Sequence, residues 1–300
     1  MKTVKAIWEL MRLEHGVMLA IAIFIGSIIS LQTNASLSIQ AFPFDKFVLT
    51  FFVALFLEAS TFALNDYFDL EIDRENKRKD RPLARGDISP KVALIIFSIF
   101  FPLGILFSYF VNMTCFIIAI ITALFAIVYD VYLKKIKLLG NFYIAYVMAI
   151  PFVFGSAAVQ LSEGLFILLD PSVVIIALIA FLAGSGREIM KDVMDFDGDR
   201  KKGVKSFPRY IGTTWSKRMA SFFYLIAVSL SIIPFLNQSY TLYYYNYLYL
   251  TIVLLTDIIF IMTSVQLLRD VTIDMAKYRK ITLLAIFFGL LSFFLGAFIG

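Results

Sequence analysis

Two stretches of the chain place oxygen-bearing side chains where they can do chemistry. The first is Asn65-Asp66-Tyr67-Phe68-Asp69-Leu70-Glu71-Ile72-Asp73-Arg74, and the second is Lys191-Asp192-Val193-Met194-Asp195-Phe196-Asp197-Gly198-Asp199-Arg200. On an α-helix, residues four apart drift only ~40° around the axis and ~6 Å along it, so Asn65, Asp69 and Asp73 share one face. Asp195 and Asp199 repeat that spacing, with Asp192 one turn earlier and Gly198 expected to loosen the helix. Oxygen-only ligands suit Mg²⁺, which is usually held by one or two carboxylates together with phosphate oxygens of a substrate. Two such faces predict a site for divalent metal and a diphosphate.

An offset of 126 aligns the two stretches. It superimposes Asp66 on Asp192, Asp69 on Asp195, Asp73 on Asp199, Arg74 on Arg200, Lys79 on Lys205, Pro82 on Pro208 and Gly86 on Gly212. A single acidic run is as readily a solvated loop face as a site. Its repetition, with proline and glycine at matching offsets, favours a real duplication and two loops that fold back alike.

The elements that must position these acids are membrane helices. The chain has 300 residues, 60% of them hydrophobic and 32 of them Phe, far outside soluble composition. A span needs ~20 mainly apolar residues. Nine segments qualify: about 16–40, 47–66, 91–110, 113–131, 141–160, 173–190, 219–237, 246–268 and 281–299. Of the 27 Lys and Arg residues, all but Lys46 fall at one set of segment ends, which predicts a cytoplasmic N-terminus and, with nine spans, a C-terminus outside. The net charge of +5 is then a topology signal that calls for no nucleic-acid partner. The first segment lacks a small-residue cleavage site and reads as a span, not as a signal peptide. One cysteine, Cys115, and one histidine, His15, leave no disulfide framework and no cysteine or histidine zinc site.

The expected fold is therefore all-α: a multi-pass bundle of nine transmembrane helices around a central cavity opening to the cytoplasmic side. With no linker tract, residues 1–300 read as one domain, capped by loops at about 67–90 and 188–217. The tyrosines from Tyr240 to Tyr249 read as an interfacial belt.

Within this frame the chain resembles the UbiA superfamily of intramembrane prenyltransferases. That family carries N-x-x-x-D-x-x-x-D after its second helix and D-x-x-x-D after its sixth, matched by Asn65, Asp69 and Asp73 and by Asp195 and Asp199. Its R-P-L-x-x-G-x-I-S stretch is matched from Arg81 to Ser89, and its tyrosine and lysine after the fourth helix by Tyr129 and Lys134.

The resemblance implies that Asn65, Asp69, Asp73, Asp195 and Asp199 hold Mg²⁺, with the four aspartates as the catalytic carboxylates. It also implies that Lys191, Arg81, Lys134 and Tyr129 contact the diphosphate of a prenyl donor. An allylic diphosphate leaves once its charge is neutralised, and the cation formed must be kept from water.

The acceptor is set by the branch. Gly186-Arg187-Glu188-Ile189-Met190-Lys191-Asp192, then Gly198-Asp199 and Lys205-Ser206-Phe207-Pro208, resemble the branch that transfers geranylgeranyl to geranylgeranylglyceryl phosphate in ether-lipid synthesis. Membrane lipid and a lipophilic acceptor are then the partners, and Arg12 is a candidate for the acceptor phosphate.

His15 and Asp80 depart from residues usual in that branch. His15 is expected to hydrogen-bond within the bundle, and Glu58 and Asp257 are as readily structural as functional. The competing readings are an aromatic-acceptor prenyltransferase of quinone pathways and a cation transporter. The transporter predicts inverted repeats, whereas the offset puts both acid runs on one side. A CDP-alcohol type phosphotransferase would need D-x-x-D-G-x-x-A-R, which is absent.

Overall fold

The computed structural model describes residues 2–33, 43–75, 77–160, 169–201, 203–269 and 274–299. Its helices are α1 (Lys2–Met11), α2 (Gly16–Thr33), α3 (Phe44–Phe68), α4 (Leu70–Glu75), α5 (Pro82–Arg85), α6 (Pro90–Val111) and α7 (Met113–Val131). They continue with α8 (Lys137–Val159), α9 (Pro171–Lys201), α10 (Phe207–Ser231), α11 (Ile233–Leu236), α12 (Tyr247–Leu268) and α13 (Met275–Ile299). Among the described residues, nine helical stretches are long and apolar enough to cross a membrane. They coincide with the nine expected segments, although α9 runs well beyond its apolar part and carries the second acid run entirely in helix. Gly198 does not interrupt it. The expected first segment reached to 40, and its part from 34 onward lies outside the described residues.

Local chemistry sets the helix ends. Proline opens α5, α6 and α10, where a missing N–H costs nothing. Asn112 caps α7 by accepting the Cys115 N–H at 2.8 Å, and Asn246 caps α12 by accepting the Tyr249 N–H at 3.0 Å.

The duplication is visible in the backbone. The Lys77 and Arg78 N–H groups donate to the Arg74 and Asp73 carbonyls, both at 3.0 Å. At the same offset of 126, Gly203 donates to Arg200 at 3.2 Å and Val204 to Asp199 at 3.0 Å. Lys77 and Gly203 both take positive φ, 52° and 73°. Both loops therefore stop their helices with the same left-handed cap. Gly86 and Gly212 follow at φ 78° and 77°, each four residues after a helix-opening proline.

The two halves meet along α2 and α8. Ser30 Oγ hydrogen-bonds Ser156 Oγ, its partner at the 126 offset, and Ser27 Oγ donates to the Gly155 carbonyl at 3.0 Å. A methyl group on Gly26 would run into the Phe152 carbonyl, and one on Gly155 into that of Ile23, so the backbones touch. α2 is the first and α8 the fifth of the membrane-length stretches, so in a chain that crosses the membrane back and forth the two run the same way. Four helices and their repeat thus surround a two-fold-like contact, with α13 as the ninth span. Both acid runs then lie at the same end of the bundle.

The tyrosine run divides. Tyr245 and Tyr247 are exposed, as a belt requires, whereas Tyr243 and Tyr249 are buried and donate their hydroxyls to the Phe293 and Ser231 carbonyls. Burying two rings whose polar tips are satisfied by backbone seals this end of the bundle.

Candidate active site

The first acid run straddles a helix break. α3 ends at Phe68 with Asp69 as its C-cap, and α4 restarts at Leu70. The Asp69 N–H still donates to Asn65 at 3.0 Å and the Asp73 N–H to Asp69 at 2.8 Å, so the one-face expectation holds across the break. Asn65 and Asp69 are half-buried and Asp73 is buried. Burial, then the charge of Asp69, push the Asp73 carboxyl above the usual carboxylate range.

Three of the site's contacts join an acid to a cation or an amide. Lys134 Nζ donates to Asp69 Oδ2 at 2.7 Å, and Asn65 Nδ2 donates to Asp130 Oδ1 at 2.8 Å. On the second run, Lys137 Nζ donates to Asp199 Oδ2 at 2.7 Å. Asp195 has no hydrogen bond or ion pair among the described residues. A single short connection between α7 and α8 therefore reaches both acid runs, through Lys134 and Lys137.

The remaining expected residues are all near this end but not all free. Arg81 Nη1 donates to Asp66 Oδ1 at 2.6 Å, and its Nε stands 3.8 Å from Asp73 Oδ2. Lys191 Nζ donates to Glu188 Oε2 at 2.7 Å, and Arg187 pairs with the same carboxylate at 3.1 Å. Tyr129 stacks on Tyr143, ring centroids 4.9 Å apart. Arg12 Nη2 donates to Asp66 Oδ1 at 3.1 Å while its guanidinium lies 4.1 Å above the Phe62 ring. His15 is exposed; its Nδ1 is 3.9 Å from Glu58 Oε1, beyond hydrogen-bond distance, and its ring meets Phe62 edge-on. Asp257 accepts the Ser231 hydroxyl at 2.8 Å, deep in the repeat's far half.

Asp66 and Asp192 were legible as the first identity of the overlay but had no assigned task. The structure makes them pegs for the returning loops. Asp66 holds the Arg81 side chain, which precedes α5; Asp192 Oδ2 accepts the Phe207 N–H, at the equivalent position, at 3.2 Å. Phe207 has no cationic side chain to offer, so its backbone takes the role of Arg81. Above the first run the cap is stitched further. Arg85 bonds Glu9, Asp87 and the Lys79 carbonyl, while Leu83 and Ile88 pack with Ala6 and Leu10 of α1. The Arg78 hydrogen bond holds the exposed Asp80 carboxyl below its usual range.

Among the described residues, no three carboxylate, histidine or cysteine side chains converge closely enough to ligate an ion as they stand. The donor set nevertheless fits Mg²⁺, which needs only one or two carboxylates when a diphosphate supplies the other oxygens. Asp195 is open for this, and the buried Oδ2 of Asp66 has no partner.

Among the described residues, nine apolar helical stretches carry the two repeated acid runs and their lysines at one end, the arrangement of an intramembrane protein with a site for a charged group. Residues 19–287 match the UbiA prenyltransferase family. The chain is 41% identical over 296 residues to a digeranylgeranylglyceryl phosphate synthase of Archaeoglobus fulgidus, covering 98% of this chain and 96% of that one. It also resembles a solved structure described as digeranylgeranylglyceryl phosphate synthase in membranes, with TM-score 0.77, 35% identity and 99% of both chains covered. A UbiA homologue of Archaeoglobus fulgidus, solved with DMAPP and Mg²⁺, shares the fold at TM-score 0.56 and 17% identity, over 96% of this chain and 99% of that one. The chain belongs to the UbiA prenyltransferase family and is a multi-pass membrane protein.

Proposed function

We propose that this protein transfers a geranylgeranyl group from its diphosphate to the glycerol hydroxyl of geranylgeranylglyceryl phosphate, with Mg²⁺, in archaeal-type ether-lipid synthesis. The observation that carries this reading is the convergence of two repeated acid runs on one lysine-bearing connection. Near-full-length similarity to digeranylgeranylglyceryl phosphate synthases supports the acceptor. Asn65, Asp69, Asp73, Asp195 and Asp199 would hold Mg²⁺, which neutralises diphosphate charge and makes it a better leaving group.

The chain's own residues do the rest. Lys134, Lys191 and Arg81 offer cationic hydrogen-bond donors to the diphosphate oxygens, and the Tyr129 hydroxyl offers a neutral one. As the allylic carbon–oxygen bond breaks, these groups stabilise the charge gathering on the departing oxygen. The apolar helix walls hold the prenyl tail and keep water from the allylic cation. The acceptor hydroxyl oxygen then bonds to the allylic carbon and gives up its proton. Arg12 lies one helix away, and an acceptor phosphate would compete with Asp66 for its guanidinium.

In this reading residues 1–300 work as one domain, with the loops 67–90 and 188–217 as caps. The cavity opens to the cytoplasm of the cell membrane, with the N-terminus cytoplasmic and the C-terminus outside, as the basic residues favour. The test is purified protein in lipid, given labelled geranylgeranyl diphosphate, Mg²⁺ and each acceptor separately. Product with the prenylglyceryl phosphate supports the reading. Product only with an aromatic acid overturns the acceptor, and metal flux into vesicles without a prenyl substrate overturns the enzyme.

A further inference from the structure

From the end of α7 into the start of α8 the chain carries Asp130, Lys134, Lys137 and Asn141 at intervals of four, three and four residues, and all four side chains engage the acid-bearing helices or one another. Lys134 Nζ sits 2.7 Å from Asp69 Oδ2 and 3.5 Å from Asp130 Oδ1. Lys137 Nζ sits 2.7 Å from Asp199 Oδ2 and 3.6 Å from Asp192 Oδ1. Behind each lysine, an asparagine fixes the second carboxylate: Asn65 on Asp130 at 2.8 Å, and Asn141 on Asp192 at 2.9 Å. Both arrangements therefore read amide, buried carboxylate, lysine, partly exposed carboxylate. The near lysine contact in each is with the carboxylate open to ligand, and the longer one is with the buried acid.

Such a lysine has two partners, only one of which a metal would take. A divalent ion on Asp199 repels an ammonium at hydrogen-bond distance from the same oxygen. Asp192, buried and already held by Asn141 and the Phe207 N–H, stays in place for the lysine to turn to. We propose that Lys137 is a positioning residue for the second acid run: it neutralises Asp199 before the divalent ion arrives and passes to Asp192 when the ion takes Asp199. This rests on the Mg²⁺ reading above and goes beyond it. It makes the metal-free site charge-compensated, so that the ion binds weakly until the diphosphate adds its own oxygens.

The experiment measures Mn²⁺ binding to the full chain by the electron paramagnetic resonance signal of free Mn²⁺, with no prenyl substrate. Lys137→Met removes the competitor, and binding tightens by about five- to tenfold, the order of one partly buried ion pair. Asp192→Asn removes the second partner, leaves Lys137 on Asp199, and weakens binding several-fold. A merely structural lysine would weaken binding in both variants, so opposite shifts are the signature. Unchanged or weaker Mn²⁺ binding in Lys137→Met overturns the proposal, as does tighter binding in Asp192→Asn. Lys137→Gln, which keeps a hydrogen bond without the charge, reads the same result should the methionine variant not assemble. Wild-type protein that binds no Mn²⁺, even with added pyrophosphate, overturns instead the metal reading on which the proposal rests.

Discussion

Asp66 and Asp192 occupy equivalent positions, yet replacing each with asparagine should have unequal effects. Asp66 is 1% exposed, and its Oδ1 accepts from two guanidiniums, Arg81 at 2.6 Å and Arg12 at 3.1 Å. Hydrogen bonds to charged partners contribute ~1.5–3 kcal/mol each, and a neutral amide oxygen recovers only ~1 kcal/mol. Asp66→Asn also takes away the carboxylate that the two arginines share, leaving Arg81 only the longer contacts to Asp73 and Asp80, both at 3.8 Å. The two guanidiniums keep some water contact, so the net cost is about 2–4 kcal/mol. Asp192 instead accepts from the neutral Asn141 amide and the Phe207 N–H, with only Lys137, at 3.6 Å, charged. Its asparagine variant should lose about 1 kcal/mol.

At roughly 2 °C per kcal/mol for a chain of this size, the melting points should fall by about 4–8 °C and about 2 °C. Cys115 is the only cysteine and is buried, so a thiol-reactive dye reports unfolding directly. Equal losses in the two variants, or an Asp66→Asn melting point within about 1 °C of wild type, would refute the assignment of Asp66 as the charged peg of the cap.

Asp195→Ala should abolish turnover at an unchanged melting point, because among the described residues Asp195 has no partner to lose; wild-type rates would contradict its metal role. Asp73→Asn should lose turnover yet be at least as stable as wild type at pH 7, because the fold disfavours the ionised carboxyl. That advantage should shrink as pH falls through the raised Asp73 pKa, where the wild-type carboxyl also becomes neutral. Melts at pH 7 and in mild acid, without metal, check the sign. Gly212→Ala should destabilise more than Gly86→Ala. No atom lies within 4 Å of a Cβ at either site, but Gly86 has φ 78° and ψ 16°, a left-handed pair other residues tolerate, whereas Gly212 has φ 77° and ψ 163°. The second is essentially glycine-only and costs ~1–3 kcal/mol. Equal melting points for the two variants would show that the caps are not held to these dihedrals.

The nine spans were readable from sequence because a membrane imposes a single length and polarity on each. The duplication was readable because its identities sit at one offset without gaps, and the same offset reappears in the cap hydrogen bonds of Asp73 and Asp199. Helical spacing alone placed Asn65, Asp69 and Asp73 on one face. Tertiary structure alone decided what each charge does. Lys137 looked like one of many basic residues at a membrane surface, and only the approach of the α7–α8 connection to α9 puts it on Asp199. Asp130 gave no signal because its partner Asn65 is chosen by packing, whereas the Glu188 pairs with Lys191 and Arg187 lie within one turn of α9. Arg12 and Lys191 were named for substrate phosphates, but here they hold Asp66 and Glu188. Spacing along a helix fixes which side chains share a face and pair within one turn, whereas a salt bridge between helices depends on which other helix that face meets.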